Sequence, residues 1–110
     1  MEKSRKTVVV TGASKGLGLG IVTRLAQEGY DIIAHYNSGD ITAARQVCAD
    51  AGVQFTAFQA DLSREAEVFA LAEKINACGD IYGLVNNAGV CLRISWRFPS
   101  STTISPLTSI

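Results

Sequence analysis

Apolar residues come in short blocks along this chain, and each block is followed by a polar, glycine-containing stretch. Val8, Val9 and Val10 form a continuous β-branched run, the pattern of a parallel strand covered on both faces. Behind it, Leu17, Ile21, Val22, Leu25 and Ala26 recur at helical spacing, and Gly29 stands where a left-handed C-terminal cap ends a helix. Asp31 to Tyr36 predict a second strand. A second helix follows over about Ile41 to Ala51 and stops at Gly52, and Val53 to Gln59 alternate as a third strand. Ser63 is placed to cap a third helix with Glu65 and Glu67 in its first turn, where the helix dipole favours negative charge. Val68, Phe69, Leu71, Ala72 and Ile75 give that helix its expected buried face, Gly79 ends it, and Ile81 to Val85 make a fourth strand.

Strand, turn and helix repeated in this way predict an α/β fold: a partial Rossmann-type three-layer arrangement with four parallel strands in order 3-2-1-4 and helices on both faces. In that order the turns after strands one and four meet at the carboxyl edge of the sheet, at the switch point where such sheets bind ligands. A chain of 110 residues, 47% of them apolar, buries one modest core, which leaves room for one half of a two-halved dinucleotide fold.

The last stretch is different. Residues 81 to 110 contain no Asp, Glu or Lys, and from Ser95 onward Ser and Thr dominate with Pro99 and Pro106. Composition there predicts a loop or disordered tail, although Leu92, Ile94, Trp96 and Phe98 alternate and leave a short strand open. The expected division is residues 1–90 as a dinucleotide-binding half-domain and 91–110 as a separate tail.

Ten basic and ten acidic residues cancel, so charge gives no reason to expect nucleic acid or an anionic membrane as a partner. The apolar run behind the charged segment Met1 to Lys6 is too short for a signal-peptide core, and no run approaches a membrane span. Cys48, Cys78 and Cys91 are odd in number and lack metal-ligand spacing. Free thiols, no metal site and a cytoplasmic location are the expectation.

Chemistry concentrates in two turns. Gly12, Gly16 and Gly18 sit in Thr11-Gly12-Ala13-Ser14-Lys15-Gly16-Leu17-Gly18, between a strand and an amphipathic helix. Glycine there allows a tight turn and close approach of the backbone to a pyrophosphate, whose charge exposed N–H groups at the helix N-terminus can meet. Leu17 occupies the position at which a G-x-x-x-x-G-K-[ST] phosphate loop needs its second glycine, which excludes nucleoside triphosphate hydrolysis of that kind. At the end of strand two, where an acid would select the unphosphorylated adenosine ribose, the chain has His35, Tyr36, Asn37 and Ser38. With no carboxylate to repel a 2′-phosphate, and with Lys15, Asn37 and Ser38 able to bind one, the expected cofactor is NADP in preference to NAD. His35 itself reads as a surface or packed imidazole, since it has no neighbouring acid in sequence. Asp61 competes locally with Ser63 as cap of the third helix.

The glycine turn together with Asn86-Asn87-Ala88-Gly89 resembles the short-chain dehydrogenase/reductase family over residues 7 to 90, and the turn is most similar to its 3-oxoacyl-acyl-carrier-protein reductase branch. That resemblance implies an oxidoreductase acting on a carbonyl group. It implies cofactor contacts at Gly12, Ser14, Lys15, Gly16, Leu17 and Gly18. It further implies an adenine-edge contact at Asp61 and Leu62, and a ribose wall from Asn87 with the Ala88 to Gly89 backbone. The family's catalytic Tyr-x-x-x-Lys has no counterpart: Tyr30, Tyr36 and Tyr82 are followed four residues later by Ala34, Asp40 and Asn86. No catalytic residue is therefore expected in this sequence, which reads as a truncated, inactive piece of such an enzyme. Homo-oligomerisation or association with a full-length homologue, through strand four, is the expected route to cover its apolar faces. Rival readings are a non-catalytic nucleotide-binding or interaction module and a fragment without function.

Overall fold

The computed structural model describes residues 6–79 and 81–87. Seven elements follow one another in strict alternation among them: β1 (Thr7–Val10), α1 (Gly16–Gln27), β2 (Asp31–Tyr36), α2 (Thr42–Ala51), β3 (Phe55–Gln59), α3 (Glu65–Asn76) and β4 (Gly83–Val85). All pairings are parallel, in the order β3-β2-β1-β4. This is the predicted topology, and its cause is visible in β1. Val8, Val9 and Val10 are wholly buried, because the central strand carries apolar layers on both faces.

Side-chain alternation sorts the core into two layers. Val8, Val10, Ile32 and Ala34 point to one face, where Val22 and Ala26 of α1 and Ala44 and Cys48 of α2 pack on them. Val9 and Ile33 point to the other, where Leu71 and Ile75 of α3 meet Ala60, Ile81 and Leu84. Burial holds the Cys48 thiol up at about 11, with Asp31 adding to the effect, so this sulfur is an inert core group.

Helix ends follow local chemistry. Gly29 and Gly52 take positive φ values of 93° and 76°, and the N–H groups at Gly29 and Tyr30 turn back to the carbonyls of Ala26 and Leu25. At the start of α2, the carboxylate of Asp40 accepts the Thr42 N–H at 2.9 Å, and the Thr42 contacts lower its pKa.

Several expectations need correction. β3 begins at Phe55 and β4 at Gly83, each two residues later than the apolar pattern suggests, since Val53 and Ile81 are buried core residues that lie outside the ladder. Leu17 and Phe69 are each 55% exposed, although helical spacing places them with the core. Leu17 lies one residue into α1, ahead of the face formed by Val22 and Ala26. Phe69 precedes Leu71 and Ala72, which take the positions against the sheet. Ser63 does not cap α3: its hydroxyl and N–H both turn to the Asp61 carboxylate, at 2.7 and 3.0 Å, and the helix starts after Arg64 with no side-chain cap. The tail expected over residues 91–110 lies outside the described residues, and no helix among those described is long and apolar enough to cross a membrane.

The contrast between two apolar residues of α3 gives a direct check. Ile75→Ala empties a fully buried position and is expected to cost about 2–5 kcal/mol. Phe69→Ala is expected to change stability by no more than about 0.5 kcal/mol, the usual range for a surface position. Urea unfolding of the two variants beside the parent chain measures both.

Candidate functional site: a cleft at the carboxyl edge

Three chain segments converge where β1, β2 and β4 end. They enclose an open cleft of about 440 Å³ lined by Gly12, Ser14, Lys15, Gly16, His35, Asn37, Ser38 and Asn87. Among the described residues its lining includes one ammonium and no carboxylate. The sheet register assembles it, because Val10 pairs with both Ala34 and Val85 and so brings the turn, the end of β2 and the Asn86-Asn87 pair to one level.

The glycine turn is held from every side. Thr11 N–H donates to the Val85 carbonyl at 3.1 Å, and its hydroxyl donates to Asn86 Oδ1 at 3.1 Å. Ala13 N–H donates to the His35 carbonyl at 2.9 Å. Ser14 Oγ donates to the Ser38 carbonyl at 3.3 Å, while Gln59 Nε2 donates to the Asn37 carbonyl at 2.7 Å, which ties the end of β3 to the same loop. Between these lies the Gly12 peptide, in the left-handed region with φ of 64°. Its N–H donates to His35 Nδ1 at 3.1 Å, and its carbonyl accepts from Asn87 Nδ2 at 3.0 Å.

Gly18 completes the packing. A Cβ there would collide with the Gly12 carbonyl and would lie 2.7 Å from Asn87 Nδ2. Only glycine allows the first turn of α1 to approach this closely. Gly16 needs its freedom for another reason: its φ is 60°, and the space around it is open. The helix that starts here has no side-chain cap and no acidic residue in its first turn, whereas α3 carries Glu65 and Glu67. Its N-terminal N–H groups and dipole are thus free of the acids that would compete with an external anion.

Among the residues singled out in the sequence, Gly12, Ser14, Lys15, Gly16, Asn37, Ser38 and Asn87 come together around the cleft. Gly18 lies beneath it as packing, and Leu17 is an exposed helix residue beside it. Asp61 and Leu62 follow β3 and do not line the cleft. Asp61 does not cap α3. Its carboxylate is taken by Ser63, whose hydroxyl and N–H lower its pKa, and its own N–H donates to Glu67 Oε1 at 2.8 Å. Ala88 and Gly89 lie outside the described residues.

His35 is the residue whose role sequence reasoning misses. It is 2% exposed, and besides the Gly12 contact its Nε2 lies 2.8 Å from the Ala60 carbonyl. A backbone N–H only donates and a backbone carbonyl only accepts, so the ring is fixed as the tautomer with its proton on Nε2. Burial lowers its pKa, partly offset by the Ala60 hydrogen bond. Its position two residues after Ile33, on the same face, was the available signal.

The short chain dehydrogenase family model matches residues 6–105. A 3beta-hydroxysteroid dehydrogenase 1 from Eggerthella lenta is 42% identical over 88 residues, covering 77% of this chain and 34% of that protein. The 3-oxoacyl-[acyl-carrier-protein] reductase FabG of Aggregatibacter actinomycetemcomitans is 36% identical over 88 residues, covering 77% of this chain and 36% of its own length. Among solved structures, a short-chain dehydrogenase from Sphingobium yanoikuyae in complex with NADPH superposes with a TM-score of 0.69 at 33% identity, over 78% of this chain and 35% of that one. The chain thus spans about a third of the length of the curated relatives it matches.

Two glycines of α1 provide the test of this packing. Gly20→Ala, at an exposed helical position with nothing within 4 Å, is expected to stabilise by about 0.5–1 kcal/mol through helix propensity. Gly18→Ala, which meets the Gly12 carbonyl, is expected to destabilise and to displace the turn. Thermal melts of the two variants should shift in opposite directions.

Proposed function

The chain belongs to the short-chain dehydrogenase family, and from that premise we propose that it supplies the cofactor-binding part of an NADP-dependent carbonyl oxidoreductase. The observation that carries the proposal is the convergence of an uncapped helix N-terminus, Lys15, Asn37 and Ser38 on one cleft lined by no carboxylate among the described residues. A dinucleotide is the ligand class that matches it. The N–H groups at the start of α1 meet the pyrophosphate, Gly12 and Gly16 let the backbone come close, and Asn87 borders the nicotinamide-side ribose.

Selection of the phosphorylated cofactor rests on charge. An acid at the end of β2 would accept from a free ribose hydroxyl and repel a 2′-phosphate, whereas Asn37 and Ser38 carry no negative charge and can donate to a phosphate oxygen. Lys15, on the rim, adds the positive charge a phosphate needs. NADPH, when bound, supplies a hydride to a carbonyl carbon. The residues of this chain bind and orient it, and none of them is assigned a proton-transfer role, because no tyrosine in the sequence has a lysine four residues on. The relatives named for 3-oxoacyl-[acyl-carrier-protein] reductase and 3beta-hydroxysteroid dehydrogenase activity support a carbonyl or alcohol substrate class for the whole enzyme.

The test is fluorescence titration with NADPH and NADH. NADPH is expected to bind more tightly, and Lys15→Ala to weaken NADPH about tenfold, equivalent to ~1.4 kcal/mol, while leaving NADH nearly unchanged. Equal affinities for the two cofactors, with no loss on Lys15→Ala, would overturn the choice of NADP.

A further inference from the structure

We propose that His35 is a positioning residue of the phosphate turn: its unprotonated Nδ1 holds the Gly12 N–H, and gain of a proton there releases the turn and weakens dinucleotide binding. The inference rests on the reading that the cleft takes a dinucleotide, and adds a residue and a pH response to it.

The geometry leaves the ring one state compatible with the turn. Gly12 N–H reaches Nδ1 at 3.1 Å and the Ala60 carbonyl reaches Nε2 at 2.8 Å. In the imidazolium both nitrogens carry hydrogen. The Ala60 contact survives that change, but at Gly12 two donors would face each other and the peptide must move. Gly12 is poorly placed to move alone, since its carbonyl is held by Asn87 Nδ2 and packs against Gly18. A shift there is transmitted to the start of α1 and to the end of β4.

The surroundings favour the neutral ring. His35 pairs with Phe58 of β3 across the sheet, and Thr11 continues β1 beside it. The ionisable side chains on the elements around it include Lys15, which lines the same cleft; Asp61 and Glu67, whose carboxylates accept from Ser63 and from the Asp61 N–H, with Arg64 paired to Glu67; and on α3 Glu65, Glu73 and Lys74, the last with its ammonium over the Phe58 ring. The ring makes no hydrogen bond to a carboxylate among the described residues; its partners are backbone groups. Burial therefore lowers its pKa from 6.5. The sign follows from proton uptake. The unfolded or released state takes the proton first, so the closed turn keeps its full advantage above about pH 6.5 and loses it as pH falls through the lowered value.

Two substitutions separate the two ring nitrogens. In His35→Asn, Oδ1 falls where Nδ1 lies and still accepts from Gly12, without a titrating group. In His35→Gln, the amide nitrogen reaches toward the Ala60 carbonyl and the Gly12 acceptor is lost. NADPH titrations between pH 5 and 8 are expected to show parent affinity falling about tenfold more toward low pH than that of His35→Asn, a ratio that cancels titration of the cofactor's own 2′-phosphate. His35→Asn, which lacks a titrating ring, should not share the parent's extra loss toward low pH, and His35→Gln should bind several-fold more weakly than His35→Asn at every pH. The same pH profile for the parent and His35→Asn, or full affinity in His35→Gln, would overturn the proposal.

A second measurement needs neither variant nor cofactor. Long-range ¹⁵N NMR of the parent chain should show the Nε2–H tautomer titrating below 6.5, with the Gly12 amide resonance moving in step. A ring that titrates at its ordinary value, or a Gly12 amide that ignores it, overturns the latch. If the amide follows the ring while no dinucleotide binds at any pH, the latch stands and the assignment of the cleft falls.

Discussion

The structure depends on one close approach: the Gly12 carbonyl lies against Gly18 with no room for a side-chain carbon, and Asn87 closes the third side. This contact fixes where α1 starts relative to the end of β1. If α1 stood farther from the strand, its N-terminal amides would no longer face the cleft and Lys15 would leave its rim. Both the turn conformation and the helix position follow from the absence of two β-carbons. The Asn87 side chain then links β4 to the same point, so the two motifs that stand 75 residues apart in sequence act as one unit.

Around that point the sheet acts as a ruler. Parallel pairing of Val10 with Ala34 and Val85 sets three loop starts at one height, and right-handed crossovers put α1 and α2 on one face and α3 on the other. Apolar burial maintains the pairing, and the polar residues that follow each strand are left at the carboxyl edge. Fold stability and ligand geometry are therefore coupled through the same registers.

Much of this was legible in the sequence, for reasons that differ by residue. The valine run could only be a covered central strand, and glycines 29 and 52 marked helix ends by their conformational freedom, so strand order and element type followed. Gly12, Lys15, Asn37 and Asn87 were legible because each lies in a turn directly after a strand. What was not legible depended on contacts between distant segments. Leu17 and Phe69 share the spacing of core residues, but only the angle at which each helix meets the sheet decides that they stay exposed. Asp61 and Ser63 both resemble caps, yet they satisfy each other. His35 has no acidic neighbour along the chain, and its partners, Gly12 and Ala60, lie 23 and 25 residues away and are backbone groups that no side-chain motif records.

The central claim is that the backbone at the start of α1 is the surface that receives the dinucleotide phosphates. Backbone amide NMR of the ¹⁵N-labelled chain, titrated with NADPH, tests it most directly. The account predicts saturable shifts that are largest for residues 13–18 and smaller for Asn37, Ser38 and Asn87, with the outer face of α2 unmoved. Saturable shifts centred elsewhere, with the amides of residues 13–18 unchanged, would contradict it.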